Sequence, residues 1–343
     1  MKKIVLETFK KLSIVEAPIP SPGPEQVVVR MRFAGICGSD LHVFDGLHPS
    51  ARVPLVMGHE GCGEIYAVNS SRTDLKAGDK VCIHTVLPCR SCEACASGRE
   101  NLCEHIRIMG TNFDGVFTQY MLADASRVIR FDASVDDRIA ALAEPLTVAV
   151  HDIRRADIRA GESVLICGAG PIGLIIAIMA QFSGASRVAL SEIDPARIQI
   201  AQSLGFAVFN PLDADFDRAC LLASGGGFDK AFEITSVQSG FDACLRLLRK
   251  GGVMVQVGMP PAGRHFDVDI NKIIYSECGL RGVRHHTMRD MQTAVKLINS
   301  GVLNDRLAPL VSKIYPLEQC QEAMECARSD KSALRVLIDL QEH

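Results

Sequence analysis

The sequence predicts an α/β chain in two parts: a β-rich half followed by a doubly wound parallel sheet. Three observations predict this. Up to about residue 146, short alternating segments are separated by Gly, Pro and Asp. After Pro145, apolar strands alternate with helical stretches, the pattern of a parallel sheet covered on both faces. A glycine-rich turn at 168–173 sits where one such strand meets one such helix. With 343 residues, 48% of them hydrophobic, the chain is long enough for about two domains.

The elements follow in order. EQVVVRMRFAGIC alternates, with Val27, Val29, Met31 and Phe33 on one face, and GCGEIYAV, KVCIH and FTQYML are further short strands. Together they suggest a barrel or partly open sheet. LTVAVHDIRRADI reads as a helix. Then come the strand SVLIC, a helix after Gly170, the strand RVALSE and a helix over 195–204. The strand AVF, a helix near Asp215, the strand KAFEI, a helix over 240–250 and the strand VMVQV continue the alternation. From about Val283, two helical stretches and a final strand, ALRVLIDL, close the chain.

Composition narrows the partners. A formal net charge of −3 with no basic stripe gives no reason to expect nucleic acid or an anionic membrane surface. The start, MKKIVLETFKKL, lacks the continuous apolar core of a signal peptide, and the most apolar run, 174–180, is too short to span a bilayer. A cytoplasmic protein is expected. Its 13 cysteines are therefore read against a reducing background. Eight of them are scattered among apolar neighbours as small buried side chains.

At the glycine turn, SVLIC runs directly into Gly168-Ala169-Gly170-Pro171-Ile172-Gly173. In this context Gly168 permits the tight turn, Gly170 lets backbone approach a pyrophosphate, and Gly173 lets helix and strand pack closely. The helix that opens at Pro171 and Ile172 offers free N–H groups to the phosphates. The next strand ends at Glu192, a carboxylate suited to both ribose hydroxyls and repulsive to a 2′-phosphate, so NAD is favoured over NADP. Arg197, just downstream, softens that preference. Val257, the last residue of VMVQV, is counted with the cofactor-binding residues.

PCRSCEACASGRENLC carries Cys89, Cys92, Cys95 and Cys103 with the spacing C-x2-C-x2-C-x7-C. Thiolates two residues apart converge on one tetrahedral ion when the loop curls around it, and four sulfurs close the shell. This points to structural zinc, with an iron–sulfur cluster as the rival. Three further pieces hold ligands of mixed type: GICGSDLH with Cys37, Ser39, Asp40 and His42; GHEGCG with His59 and Glu60; and AEPL with Glu144. Cys, His and carboxylate make a zinc shell that keeps a position open, and Asp40 suits the second N–H of His59. Such an ion beside a nicotinamide implies alcohol–carbonyl interconversion.

GICGSDLH, GHE, the four-cysteine lobe, AEPL and GAGPIG, in that order, resemble the zinc-dependent medium-chain dehydrogenases over essentially the whole chain. The glutamate of AEPL resembles the polyol branch, which includes sorbitol, L-idonate and L-threonine dehydrogenases. The resemblance implies a GroES-like β-rich catalytic domain over 1–146 and 284–343, with the structural zinc lobe at 88–104. It implies a Rossmann NAD-binding domain over 147–283. It also implies two zinc ions per chain. Cys37, His59 and Glu60 hold the catalytic one, with Glu144 as a fourth ligand or as the partner of its water. Cys89, Cys92, Cys95 and Cys103 hold the structural one. Ser39 and His42 resemble the proton relay, and Glu144 is counted with them as catalytic.

Arg284 matches a position near nicotinamide and substrate. His285 replaces the usual tyrosine of sorbitol dehydrogenases and Val43 an aromatic residue, which argues against sorbitol. Arg284, His285 and His286 either face an anionic group on the substrate, or the two histidines are exposed edge residues. The expected reaction is hydride transfer between NAD and a secondary alcohol of a polyol, sugar acid or sugar phosphate. L-threonine 3-dehydrogenase is the nearest alternative, and a non-catalytic NAD-binding sensor or structural protein is the alternative of another class. A homodimer or homotetramer is expected.

Overall fold

A computed structural model describes residues 1–260 and 263–341. The chain divides into two compact units, Met1–Thr147 together with the segment resuming at His286, and Val148–His285. The helix Ala143–Ala156 carries the chain from one to the other.

In the first unit, apolar residues build a sheet whose strands are buried at consecutive positions, Arg335–Asp339 at all five and Gln26–Gly35 at most of its ten. Its order runs Val128–Arg130, Lys80–Ile83, Glu60–Asn69, Gln26–Gly35, Arg335–Asp339, Val311–Pro316, and Tyr120–Asp124 also pairs with Gln26–Gly35. A smaller sheet joins Lys11–Glu16, Lys2–Thr8 and Leu55–Val56. Val27, Val29, Met31, Ile65 and Val81 are buried in one continuous core. The register matters for chemistry. Gly35 pairs with Glu60 on one side and with Leu337 on the other, so the last strand of the chain flanks Gln26–Gly35 opposite the strand that begins at Glu60, and only the glycine separates the two. The strand Val311–Pro316 was not anticipated from the sequence. It pairs in parallel with Arg335–Asp339, and its mixture of Ser, Lys and Tyr with Ile hides a strand pattern.

The second unit is a six-stranded parallel sheet. Its order is Ala207–Phe209, Arg187–Ser191, Ser163–Cys167, Phe228–Glu233, Leu248–Gln256, Gly279–Gly282. Strand order reverses at Ser163–Cys167, which opens a crevice at its carboxyl end between the neighbouring connections. All five residues of Ser163–Cys167 are buried, as expected for a strand covered on both faces. The apolar run 174–180 lies in the helix Pro171–Phe182 and is wholly buried there. No helix among the described residues is long and apolar enough to cross a membrane. The helix placed at 240–250 is instead Gln238–Leu247. Leu248 already pairs with Phe228 across the sheet, so strand pairing ends the helix early.

Candidate functional site

Gly168 turns the chain at φ +110°, and Gly170 caps the helix Pro171–Phe182, with Pro171 in its first turn and no side chain bonded at the cap. A Cβ on Gly173 would stand 2.0 Å from the carbonyl oxygen of Gly168, so only glycine allows this packing. The uncapped N-terminus leaves its N–H groups for phosphate oxygens. Ile172 is half-buried beside it. The Arg197 guanidinium lies over the same turn, 3.6 Å from where a Cβ on Gly170 would be. The Val257 N–H is bonded to the Glu233 carbonyl at the end of its strand.

Glu192 departs from expectation. Its Oε2 accepts from the Ala169 N–H at 2.9 Å, and its Oε1 from those of Ile193 and Asp194 at 2.8 and 3.0 Å. A carboxylate has about four acceptor sites, so three backbone bonds leave too few for both ribose hydroxyls. The side chain ties the end of its strand to the glycine turn and keeps room for a single further donor.

The four cysteine sulfurs lie within 4.8 Å of one another. Separations of 3.5 Å for Cys92–Cys95 and 4.0 Å for Cys89–Cys95 bracket the edge of a zinc–sulfur tetrahedron, about 3.8 Å for bonds of about 2.3 Å. Backbone N–H groups point at the sulfurs: Cys89 and His105 donate to Cys103 Sγ, and Ser91 and Cys92 to Cys89 Sγ. Such bonds favour thiolate. Those from the Ser91 hydroxyl and the Ser91 and Cys92 N–H groups bring the Cys89 thiol down to about 5. The donor set fits zinc.

The second cluster joins the start of the helix Gly38–Phe44 to the start of the strand Glu60–Asn69. Cys37, His59 and Glu60 each present a donor atom within 4.8 Å of the others. Asp40 holds the first two in place. Its Oδ2 accepts from the Cys37 N–H at 2.9 Å, and its Oδ1 stands 3.3 Å from His59 Nδ1. A carboxylate at Nδ1 leaves the Nε2 lone pair for a metal. Burial, the largest single influence, opposes a charged His59, yet the charge and hydrogen bond of Asp40 together with those of Cys37 outweigh it and raise the imidazole well above its usual range. Ser39 Oγ is 3.3 Å from His59 Nε2, whereas His42 is exposed in the last turn of the helix. A side chain on Gly35 would strike Glu60, its Cβ only 2.6 Å from Oε2, so glycine here makes room for the carboxylate. Cys, His and carboxylate donors at this spacing fit a zinc ion with an open position.

Glu144 falls outside this three-member group. Its Oε1 accepts from His286 Nε2 at 3.0 Å, both side chains being buried. Burial raises its carboxyl, but the His286 hydrogen bond and charge, helped by His59 and Arg335, bring it down to about 2. The expectation that His286 faces an anionic substrate or solvent is therefore corrected: its polar edge is spent on Glu144. Arg284 is exposed and His285 half-buried, both in the second unit.

Sequence reasoning missed two residues outright. Arg335, 2% exposed, places Nη1 at 2.8 Å from both oxygens of Glu60. The one signal for it was a cation inside the apolar stretch ALRVLI. His84 stacks edge-on against His286, ring centroids 5.2 Å apart, and burial pushes its imidazole down to about 2, so it is neutral. No local pattern marks it.

Residues 23–133 match the alcohol dehydrogenase GroES-like domain family, and residues 171–300 match the zinc-binding dehydrogenase family. The chain is 33% identical over 328 residues to L-galactonate-5-dehydrogenase of Escherichia coli, covering 95% of this chain and 94% of that one. It belongs to the zinc-dependent medium-chain dehydrogenases. These are oxidoreductases acting on alcohols with NAD(P), and the relatives place the chain in the polyol and sugar-acid branch. The solved structure of L-idonate 5-dehydrogenase from Escherichia coli superimposes with a TM-score of 0.89 at 32% identity, covering 98% of this medium-chain dehydrogenase and 97% of that chain. L-threonine 3-dehydrogenase of Rhizobium rhizogenes is 31% identical over 329 residues, covering 94% and 93%.

Proposed function

We propose that this enzyme transfers hydride between a secondary alcohol of a sugar acid and NAD at a zinc centre held by Cys37, His59 and Glu60. The observation that carries the reading is the convergence of those three donors in one unit with the buried, hydrogen-bonded pair Glu144 and His286. When bound, zinc supplies a Lewis acid that makes an alcohol proton easier to lose, and NAD supplies the hydride acceptor. Asp40 orients His59 through Nδ1. Arg335 offsets the charge of Glu60. Glu144 stays anionic although buried, and serves as an acceptor for the proton or for an alcohol hydroxyl. Ser39, against His59, and His42, exposed to solvent, form the outward path for the proton. Glu144 acts through hydrogen bonds rather than as a fourth ligand. Cys89, Cys92, Cys95 and Cys103 hold the second, structural zinc.

Gly168, Gly170, Pro171, Ile172, Gly173, Glu192, Arg197 and Val257 bind the cofactor, with Arg284 near its nicotinamide. We assign the metal-binding domain to 1–146 and 284–343 and the NAD-binding domain to 147–283. The Glu192 carboxylate, with room for one ribose hydroxyl, favours NAD through its charge, which repels a 2′-phosphate, and Arg197 over the turn leaves NADP usable. A sugar acid is preferred because the relatives include enzymes named for L-galactonate and L-idonate. Exposed Leu280 on the edge strand Gly279–Gly282, and exposed Ile270, Ile274 and Tyr275 on the helix Ile270–Ser276 that precedes it, support a homodimer or homotetramer. A cytoplasmic enzyme with no nucleic-acid or membrane partner completes the reading.

The test is a substrate panel of galactonate, idonate, sorbitol, xylitol, galactitol phosphate and L-threonine, with NAD and NADP, on zinc-loaded enzyme. A sugar acid with NAD is expected to give the highest kcat/KM. A preference for threonine establishes the alternative instead, and no turnover with any alcohol refutes the enzymatic reading.

A further inference from the structure

The geometry points to His286 as a positioning residue that fixes Glu144 for turnover. This rests on the proposed function, in which Glu144 is the anionic acceptor. The His286 Nε2 to Glu144 Oε1 contact is 3.0 Å. The contact is satisfied with Nε2 as the donor and the carboxylate oxygen as the acceptor. None of the other described residues donates to Oε1 or Oε2. One bond therefore sets the rotation of the carboxylate and leaves Oε2 as its acceptor for the reacting alcohol.

His286 is held from two sides. The His84 ring packs edge-on against it at 63°. That ring is fixed in turn by its backbone, since the His84 N–H donates to the Arg127 carbonyl and the Arg127 guanidinium donates back to the His84 carbonyl. On the other side, the chain immediately enters the helix Met288–Asn299. The Thr287 N–H donates to Asp290 Oδ2 at 2.9 Å and the Asp290 N–H donates back to Thr287 Oγ1 at 3.3 Å, closing a capping box, and Thr287 Oγ1 also donates to Oδ2 at 2.8 Å. The Met288 N–H donates to Glu100, which stands between Cys95 and Cys103 of the cysteine lobe. The lobe thus anchors the turn that carries His286. A histidine held this way orients Glu144 much as outer partners orient metal ligands, where their loss costs about 10- to 100-fold in activity or affinity.

The test compares His286→Ala, His286→Gln, Glu144→Gln and the Glu144→Gln/His286→Ala double variant with the wild type. Each is measured as the zinc-loaded and as the cobalt-substituted enzyme. For His286→Ala, kcat is expected to fall about 10- to 100-fold with KM for NAD unchanged, and the visible cobalt band to shift. His286→Gln, which retains a side-chain donor, recovers most of the activity. The double variant is no slower than Glu144→Gln alone. Wild-type kcat and cobalt spectrum in His286→Ala, equal loss in the Ala and Gln variants, or additive losses in the double variant each overturn the inference. Should His286→Ala not fold, 15N-histidine spectra decide: Glu144→Gln must move the His286 Nε2–H resonance, and an unmoved resonance overturns it. A wild type holding a single zinc per chain overturns the functional reading and this inference together. A two-zinc wild type with an unchanged His286→Ala overturns the inference alone.

Discussion

Arg335→Met isolates the buried charge pair behind the zinc cluster. Arg335 is 2% exposed and Glu60 1%, and both contacts are 2.8 Å. At about 4 Å between charge centres and an effective dielectric of about 20, their attraction is about 4 kcal/mol. Most of that offsets the cost of taking both ions out of water, so the pair as a whole adds little net stability. Removing one partner is different. Methionine fills much of the space, but the Glu60 carboxylate is left buried without its counter-charge, which costs about 3–5 kcal/mol. Against a typical domain stability of about 5–15 kcal/mol, that is a large fraction.

Urea unfolding followed by far-UV circular dichroism measures the loss. Hydrogen exchange at Gln26–Gly35 and Arg335–Asp339 assigns it to the first unit. Two features identify the mechanism. In the proposed assignment zinc supplies positive charge to the same carboxylate, so the deficit is larger after zinc is chelated. It also shrinks toward acid pH, because a protonated Glu60 needs no partner. Arg335→Lys keeps the charge without the planar fork and loses about 1.5–3 kcal/mol, the worth of a charged hydrogen bond. A metal-free Arg335→Met enzyme within about 1 kcal/mol of wild type refutes the account, since the surrounding structure would then not enforce the pairing.

Other outcomes are equally definite. Cys37→Ser removes a thiolate from the open cluster and lowers kcat by at least about 100-fold while leaving NAD affinity intact; elemental analysis finds one zinc lost per chain, and full activity with that zinc missing contradicts the assignment. Gly173→Ala forces a methyl to within 2.0 Å of the Gly168 carbonyl, so NAD affinity by fluorescence titration falls steeply while zinc content stays at the wild-type value. Burial pushes the Cys62 and Cys220 thiols up to about 12. Their folded values lie above the unfolded one, so their stabilising contribution is complete below about pH 8.5 and erodes as pH rises toward 12, by about 1.4 kcal/mol per pH unit for each thiol. Replacing Cys62 by Ala flattens the dependence of unfolding free energy on pH between about 9 and 10.5 by that slope, and an unaltered slope rules the thiol out as the cause.

Much of the molecule was legible in the sequence, and the legible parts share a property: their partners are close along the chain. The cysteine lobe closes within one short loop, the glycine turn within one strand–helix junction, and the Cys37–Asp40 capping box within one helical turn. Local backbone geometry alone brings these groups together, so spacing is enough to find them. Strand–helix alternation likewise revealed the parallel sheet, because burial on both faces demands continuous apolar runs.

The sequence by itself therefore determined the fold class and the chemical types gathered at each site. Only the tertiary structure decided how the buried carboxylates are committed. Glu60 meets Arg335 across 275 residues because the final strand returns beside Gly35 in one particular register. Glu144 meets His286 across 142 residues, and Glu192 is absorbed by backbone N–H groups at the turn it supports. A buried ion must find a counter-charge or donors wherever the packed chain provides them, and which residue does so depends on strand register and helix placement, which no local spacing records.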